Sequence, residues 1–524
     1  MEQTAHLPIA VQEFHHLQAQ LDACWRGTES FIPDQPGIVL SQNRDILVVP
    51  SLSLDQGELN KIEGYHHYEE RQLFSLIQLR NPRTRMIFVT SQPLHPSIID
   101  YYLDLLPGVP SAHARDRLLL LSTYDQSPKP LTQKILERPR LLQRIRQALR
   151  PGQSYMVCFN STQWERDLSL QLGVPLFAVD PDLLYWGTKA GSRELFAEAQ
   201  IPHPAGCQTA WNIPELAGLV AQLWEKQPQV QRLVVKLNEG FSGEGNALLD
   251  LTKIPQVAPG LVSPAERIST IEAHLSSLRF QAPQETWPSY SRRLPELGAI
   301  VECYLEGDHK QSPSVQGRIT PCGGVEIIST HDQILGGPDG QIFKGCRFPA
   351  DARYRLALQD LGLQVGQQLA RKGAIGHYGV DFLARPQADG SWDVQAIEIN
   401  LRKGGTTHPF MTLKFLTNGY YDLSSGLFYS KHGRPKYYIA SDNLQSPHYR
   451  GLLPNDLMDI IASYQLHFDS STETGTVFHL IGALSEFGKL GLTSIGNSPE
   501  EAEAVYERTI AVLDQETQGY REDV

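Results

Sequence analysis

The stretch Gly376–Gly405, GHYGVDFLARPQADGSWDVQAIEINLRKGG, decides the fold of this chain. Two runs within it, Gly379–Arg385 and Asp393–Asn400, alternate apolar and polar residues, as β-strands with one buried face do. Asp389-Gly390 lies between the runs, and an Asp-Gly pair in that position is a strong hairpin signal. We therefore predict an antiparallel hairpin whose loop is these two residues.

The predicted register brings three polar side chains together on one face of the hairpin. Asp381 lies opposite Glu398, and Asn400 shares the face of Glu398 because side chains alternate along a strand. The other face carries the core residues Val380, Phe382, Ile397 and Ile399. Two opposed carboxylates repel each other unless a cation compensates, and Mg²⁺ prefers carboxylate and phosphate oxygens. The pattern indicates a Mg-nucleotide site, and the alternative is an exposed hairpin whose acids face water.

The composition is that of an ordinary globular protein. A length of 524 residues implies about three domains. The net charge of -12, without any block of like charge, argues against nucleic-acid or membrane partners. The six cysteines lack zinc spacing, and the chain shows neither a signal peptide nor a run of about 20 apolar residues. We expect a cytoplasmic protein with reduced thiols, and a homo-oligomer is left open.

The N-terminal third alternates short apolar runs with helical patterns. Strands are predicted at 45–50, 85–90, 154–159 and 176–180, and helices at 8–25, 65–79, 96–105, 133–148 and 165–172. This alternation predicts an α/β domain with a parallel, Rossmann-like sheet, but no G-x-G-x-x-G indicates dinucleotide binding. The polar run Tyr65–Arg71 is interpreted as a solvated helix face, with the lining of a substrate cleft as the alternative.

The middle of the chain carries two lysines and a glycine-rich loop. Lys189 precedes a short helix, and Lys236 ends the predicted strand 232–237. The loop after it contains Gly240, Ser242, Gly243 and Gly245. Backbone N–H groups of such a loop can approach a polyphosphate, and Lys236 brings a positive charge to it, although a flexible turn is the alternative. Glu302, inside an otherwise apolar strand, requires a hydrogen-bonding or cationic neighbour.

The last third adds further strands and helices. Strands are predicted at 314–320, 324–330 and 477–484, a turn-rich loop at 331–340, and helices at 351–371 and 499–514. Arg402 and Lys403 precede Gly-Gly-Thr-Thr, a composition that suits an anionic substrate or an acyl phosphate. A basic loop exposed to solvent is the alternative.

This order of motifs resembles the ATP-grasp ligases. The segments GTKAGSRELF, PSVQGRITP, STHDQILGG, KGCRFPA and EINLRKGGTTHPF look like the pheganomycin-type peptide ligase family, and the tail FHLIGALSEFGKLGLTSIGNSPEEAEA is similar to that family's C-terminal domain. The resemblance implies a Rossmann-like pre-ATP-grasp domain over residues 1–182 and a two-lobed, α+β ATP-grasp domain over 183–430. It divides the latter into a lid lobe (200–298) and a metal-bearing lobe (299–430), followed by a small α+β region over 431–524.

The resemblance also implies roles for individual residues. The ATP-binding residues would be Lys189, Lys236, Gly240, Ser242, Gly243, Gly245, Glu302 and Leu305. Among them, the lysines would hold the phosphates, the glycine-rich loop would be the lid, and Glu302 and the Leu305 backbone would meet the adenine. The Mg²⁺ ligands would be Asp381, Glu398 and Asn400. The ribose-binding residue is left open among Glu306, Asp308 and His309.

Some ATP-grasp ligases carry an arginine two residues before the metal-binding aspartate, where this chain has Gly379. The candidates for the missing catalytic cation are Arg318, Lys344, Arg347 and Arg402. The expected function is an ATP- and Mg-dependent ligase that joins a small-molecule carboxylate to the amine of an amino acid or peptide through an acyl phosphate. A non-catalytic ATP-binding regulatory protein and an ATP-grasp kinase are the alternatives.

Overall fold

The computed structural model describes residues 9–21, 43–54, 59–60, 62–106, 108–239, 245–282, 284–307, 309–336 and 342–518. These residues form three sheets, of which the first is parallel, as predicted. Its strands, in spatial order, are Leu118–Ser122, Thr84–Thr90, Arg44–Val49 and Ser154–Cys158. The α-helices of this part of the chain are Ile9–Gln18, Pro96–Asp104, Ser111–Arg115, Leu131–Leu136, Pro139–Ala148 and Gln163–Leu172. The predicted α/β class of the N-terminal third is confirmed.

Two expectations for this region are wrong. The predicted strand at 176–180 is a single bridge between Leu176 and Met156, because Asp180 and Pro181 start a 3₁₀ helix immediately afterwards. The run Tyr65–Arg71 opens a 3₁₀ helix, Tyr65–Arg80, whose side chains are buried from Glu69 to Ile77 rather than solvated. Partners distant in the sequence make this burial tolerable: Glu69, for example, accepts hydrogen bonds from the backbone and the hydroxyl of Ser91, both at 2.6 Å.

The second sheet is antiparallel and carries the strand Arg232–Leu237, which contains Lys236 and is named the lysine strand. Its order is Arg279–Phe280, Asn246–Asp250, Arg232–Leu237 and Ala299–Cys303. The helices Ile213–Lys226, Pro264–His274 and Trp287–Leu297 lie in this part of the chain, and the first of them packs on the sheet through buried Leu216, Val220 and Trp224. This lobe has a core of its own, which begins and ends within residues 207–303.

The third sheet contains the hairpin and continues into the C-terminal part of the chain. Its path runs through Trp392–Asn400, Gly376–Pro386, Pro313–Ile319, Val325–Gly336, Ile342–Phe348, Pro435–Gln445, Leu427–Tyr429 and Tyr420–Asp422. Lys489–Gly496 pairs with Pro435–Gln445, and Gly475–His479 pairs with Lys489–Gly496. The accompanying helices are Lys189–Glu198, Arg355–Arg371, Thr407–Thr417, Pro454–Tyr464, Leu484–Phe487 and Pro499–Gln518. The turn predicted at 331–340 is wrong for its first residues, since the strand from Val325 continues to Gly336.

The hairpin confirms the predicted pairing at the site but not the predicted loop. Asp381 pairs with Glu398, as expected. The loop, however, spans residues 387–391, and the backbone N–H of Gln387 donates to Ser391 at its base. A bulge between Asp381 and Phe382 then shifts the register by one residue, so Phe382 pairs with Ala396 rather than Ile397. The predicted loop placed the strands out of register by one residue, and the bulge shifts the register back by one, so Asp381 still pairs with Glu398.

No helix among the described residues combines the length and apolar character that a bilayer span needs.

The third sheet packs closely around Tyr378, and this generates a stability prediction. A Cβ on Gly317 would lie 2.2 Å from the Tyr378 ring, which is fully buried and held by a 2.9 Å hydrogen bond from its hydroxyl to the Gly362 carbonyl. We expect Gly317→Ala to destabilise the fold by about 1–3 kcal/mol through overpacking. The control Gly218→Ala, in helix Ile213–Lys226 with no atom within 4 Å of its Cβ, should be neutral or stabilising by up to about 1 kcal/mol. Thermal and denaturant unfolding measure both, and equal effects would contradict the packing argument.

Candidate functional site

The helix that begins at Lys189 contacts both the lysine strand and the hairpin that carries Asp381 and Glu398, which is named the acidic hairpin. Its first N–H groups are bound by Asn238, at the end of the lysine strand: Lys189 N donates to the Asn238 carbonyl at 3.1 Å and Ala190 N to the Asn238 side chain at 2.8 Å. One turn later, the Ser192 hydroxyl accepts the backbone N–H of Ile399 at 2.9 Å. One short helix therefore fixes the position of both strands that carry candidate site residues.

Glu302 is neutralised by two cations. Lys236 Nζ lies 2.5 Å and Arg193 Nη1 2.7 Å from its two carboxylate oxygens. Burial raises the pKa of Glu302, but Lys236 and Arg193 outweigh it and hold the pKa below its ordinary value. The prediction that this buried acid needs a partner is confirmed. Sequence reasoning missed Arg193, although its position four residues after Lys189 on one helix face is the signal that could have found it.

Lys189 links this cationic group to the hairpin. Its ammonium lies 3.8 Å from Glu398, and only 7% of the residue is exposed. Burial lowers the pKa of Lys189, while Glu398 raises it and Lys236 lowers it further. Two buried lysines close enough to disfavour each other's charge form a site that favours an anion.

The acidic face predicted for the hairpin, with Asp381, Glu398 and Asn400 side by side, is present. Burial, followed by the nearby charge of Glu398, raises the pKa of Asp381 to about 7. Asp381 also accepts hydrogen bonds from the Asn400 amide at 3.0 Å and the Gln333 amide at 2.7 Å. The alternative of solvated acids is wrong for Asp381. Two opposed carboxylates with the amide oxygen of Asn400 form an all-oxygen donor set, so these residues fit Mg²⁺.

The structure separates the four candidate cations. Burial lowers the pKa of Arg402, and the charges of Glu398 and Asp381 oppose that shift, so this guanidinium lies within electrostatic range of the acidic face. Arg347 instead pairs with Glu503 of the last helix at 3.0 Å. Its strand partner is Asp332, whose side chain points to the opposite face from Gln333, the residue that contacts Asp381.

Arg318 lies farther along the sheet, whereas Lys344 is distinguished by its exposure. Arg318 Nε is 3.0 Å from Glu326. It sits four residues along its strand from Ser314, the partner of Asp381, which corresponds to about 13 Å. The Lys344 side chain is exposed. Of the four candidates, Arg402 is the one that the structure brings to the acids.

The expected ATP-binding loop is only partly visible. Gly240, Ser242 and Gly243 lie outside the described residues, and Gly245 accepts a hydrogen bond from the Leu237 backbone at 2.9 Å. The Leu305 carbonyl accepts a hydrogen bond from Lys310 at 2.9 Å.

The three ribose candidates also differ in their surroundings. Glu306 pairs with Arg232, with Nε and Oε1 2.9 Å apart. His309 is exposed, and Asp308 lies outside the described residues.

The segment after Asn400 is buried rather than exposed, so the alternative of a solvated basic loop is wrong. Lys403 Nζ donates to the Gln72 side chain at 2.9 Å, and burial lowers the pKa of Lys403 to about 8. Arg402 Cζ lies 5.9 Å from the Phe159 ring centroid. Two residues of the N-terminal third, Gln72 and Phe159, therefore contact the segment next to the acidic face, and the sequence offered no local signal for either contact.

Comparison with known proteins finds matching family models and solved structures of the same fold. The model of the IQCH-like ATP-grasp family matches residues 183–270 and 259–424, and the model of the PGM1 C-terminal domain matches residues 456–509. The biotin carboxylase domain of Hydrogenobacter thermophilus 2-oxoglutarate carboxylase has a TM-score of 0.53 at 12% identity, covering 90% of both chains. Biotin carboxylase from Campylobacter jejuni has a TM-score of 0.51 at 10% identity, covering 89% of this chain and 91% of its own. These two structures share the fold.

A closer relative exists among characterised enzymes. L-propargylglycine–L-glutamate ligase of Streptantibioticus cattleyicolor is 31% identical over 466 residues, which cover 87% of this chain and 91% of that protein. An alignment of this length and identity extends well beyond the ATP-grasp lobes into both ends of the chain. The chain belongs to the ATP-grasp ligase family that includes L-propargylglycine–L-glutamate ligase.

Proposed function

We propose that this ligase joins the carboxylate of a small molecule to the amine of an amino acid or peptide, with ATP and Mg²⁺, in the cytoplasm. The observation that carries the proposal is the convergence of two buried lysines and a pair of opposed carboxylates on the single helix that begins at Lys189. This arrangement suits a polyphosphate on one side and a divalent ion on the other. A substrate pair of two amino acids is the expectation, because the related ligase is named for such a pair.

The lysine side of the site would bind the nucleotide. Lys189 and Lys236 would hold the phosphates, and the Glu302 carboxylate, kept ionised by its two cations, holds Lys236 and Arg193 in place. Glu302 and the Leu305 backbone would bind the adenine. The loop from Gly240 to Gly245 would cover the phosphates and exclude water, which would otherwise hydrolyse an acyl phosphate.

The acidic side would hold Mg²⁺ through Asp381, Glu398 and Asn400. When bound, the ion supplies charge neutralisation for the transferring phosphoryl group. Attack of the substrate carboxylate on the γ-phosphate of ATP gives an acyl phosphate and ADP, and attack of the amine on the acyl carbon then gives the amide and phosphate. Arg402, which lies within electrostatic range of the acids, would stabilise the oxyanion that develops in the second step.

A phosphate-release screen tests the assignment. Pairs of carboxylates and amines, beginning with L-amino acids and dipeptides, are incubated with ATP and Mg²⁺, and products are identified by mass spectrometry. A new amide that needs both substrates supports the ligase. A phosphorylated product without amide would support a kinase, and nucleotide binding without turnover would support a regulatory protein.

Removing the proposed phosphate and metal ligands should abolish ligation. We expect Lys236→Ala, Asp381→Asn and Glu398→Gln each to lower amine-dependent ADP release by on the order of 10²-fold or more, because each removes charge that stabilises phosphoryl transfer. Asp389→Asn is the matched control, since it makes the same chemical change in the exposed loop of the same hairpin. Near-normal turnover in all three site variants would remove the assignment.

Two of the four cation candidates, Arg402 and Arg347, can be separated by one matched pair. Arg402→Gln should lower kcat/KM by on the order of 10²-fold, because it removes the guanidinium near the acids. Arg347→Gln should change it by less than about threefold, since it breaks only an exposed ion pair with Glu503. Calorimetric titration with ADP verifies that both variants still bind nucleotide. Equal losses in the two variants would contradict the placement of the catalytic cation at Arg402.

A further inference from the structure

Three buried side chains converge at a point that the proposed ligase site does not use. His408 Nε2 and His479 Nε2 lie 3.0 and 2.8 Å from Asp442 Oδ1, and the two nitrogens are 2.9 Å apart. Each of the three residues is at most 5% exposed. None of them is among the residues assigned above to ATP or Mg²⁺, so this is a separate cluster.

The fold, rather than local sequence, builds this cluster. His408 lies in the first turn of helix Thr407–Thr417, Asp442 on strand Pro435–Gln445 and His479 at the end of strand Gly475–His479. Gly491 leaves room for the His479 ring, because a Cβ at that position would lie only 2.2 Å from His479 Nε2. Three segments that are far apart in the sequence thus direct one donor atom each to the same place.

Hydrogen bonding among the three side chains accounts poorly for these distances. The three atoms form a nearly equilateral triangle. If both imidazoles donated to Oδ1, their hydrogens would approach one oxygen from directions about 60° apart and lie about 1.9 Å from each other. If either nitrogen carried no hydrogen, its lone pair would face the carboxylate oxygen directly. In both cases the centre of the triangle lacks positive charge.

The same triangle fits a metal ion well. An ion at about 2.1 Å from all three atoms would lie about 1.3 Å out of their plane, with its other side open for further ligands. Two imidazoles and one carboxylate on one face of an ion form a known arrangement for divalent transition metals.

Arg71 supplies an independent observation. Its Nη1 lies 3.1 Å from Asp442 Oδ2, the carboxylate oxygen that points away from the triangle. Its Nε and Nη2 are buried without any hydrogen-bond partner among the residues that the structure describes, while the guanidinium lies between the rings of Tyr68 and Phe159, at 4.6 and 4.8 Å. Arg71 Nε and Nη2 therefore lack a hydrogen-bond acceptor beside the cluster. Arg71 already balances the charge of Asp442, so an added ion would in turn require an anionic ligand or hydroxide.

We propose that His408, Asp442 and His479 bind one divalent transition-metal ion on one face of its coordination sphere, with donor–ion–donor angles of about 90°, while Arg71 orients Asp442 and waters or anions complete the coordination. Imidazole nitrogen is a preferred ligand for such ions, and an outer hydrogen bond to the ligating carboxylate is a common feature of their sites. The ion would tie the helix after the acidic hairpin to two strands of the C-terminal region.

The metal content of the full-length, tag-free protein tests the proposal. The protein is incubated with Zn²⁺ in excess Mg²⁺, desalted and analysed by elemental mass spectrometry. We expect one Zn²⁺ per chain in the wild type and less than one tenth of that in His408→Gln and His479→Gln. Incubation with Co²⁺ instead should give visible absorption bands that both variants lose. The double variant Asp381→Asn/Glu398→Gln should keep its Zn²⁺, which distinguishes this cluster from the proposed Mg²⁺ site.

His331→Gln is the matched control, because His331 is another fully buried histidine, 2.6 Å from the Tyr438 hydroxyl and outside the cluster. It should retain the ion. Should a cluster variant fail to fold, the wild type alone is decisive, since a chelator should lower its Tm and Zn²⁺ should restore it. Wild-type protein that retains neither Zn²⁺ nor Co²⁺, or cluster variants that retain as much as the wild type, would overturn the proposal. Neither result depends on turnover, so the proposed ligase function is tested separately.

Discussion

The site depends on how the first turn of the helix at Lys189 is held. The free N–H groups of a helix start need acceptors, and here Asn238 supplies two of them from the end of the lysine strand. Ser192 in the same helix accepts from the acidic hairpin. Three hydrogen bonds from backbone N–H groups connect two sheets through one helix, and they set the distance between the lysines and the carboxylates.

Like charges are placed close together on both sides of this helix. Asp381 and Glu398 raise each other's energy on one side, and Lys189 and Lys236 do so on the other. Such clusters destabilise a protein unless a ligand of opposite charge relieves them. Within the protein, Glu302 compensates Lys236 and Lys189 compensates Glu398, and a nucleotide with its ion would add further compensation on both sides.

The sequence was sufficient for features that depend on neighbouring residues. Strand alternation and the Asp-Gly signal located the hairpin, and the apolar runs located the parallel sheet, although the strand Leu118–Ser122 was missed. The pairing of Asp381 with Glu398 was right because an unpredicted bulge cancelled an error in loop length. The contacts of Arg71 and Gln72 were out of reach, since their partners lie 371 and 331 residues away and only tertiary packing brings them together.

The continuity of the third sheet has a consequence for any attempt to shorten the chain. Strand Ile342–Phe348 pairs on one side with Val325–Gly336 and on the other with Pro435–Gln445. A protein cut at residue 430 would leave the outer backbone groups of Ile342–Phe348 open, and unpaired edges of this kind recruit strands from other molecules. The border predicted at residue 430 thus lies within one hydrogen-bonded sheet, and a truncated product is expected to self-associate into insoluble material instead of folding as a smaller enzyme.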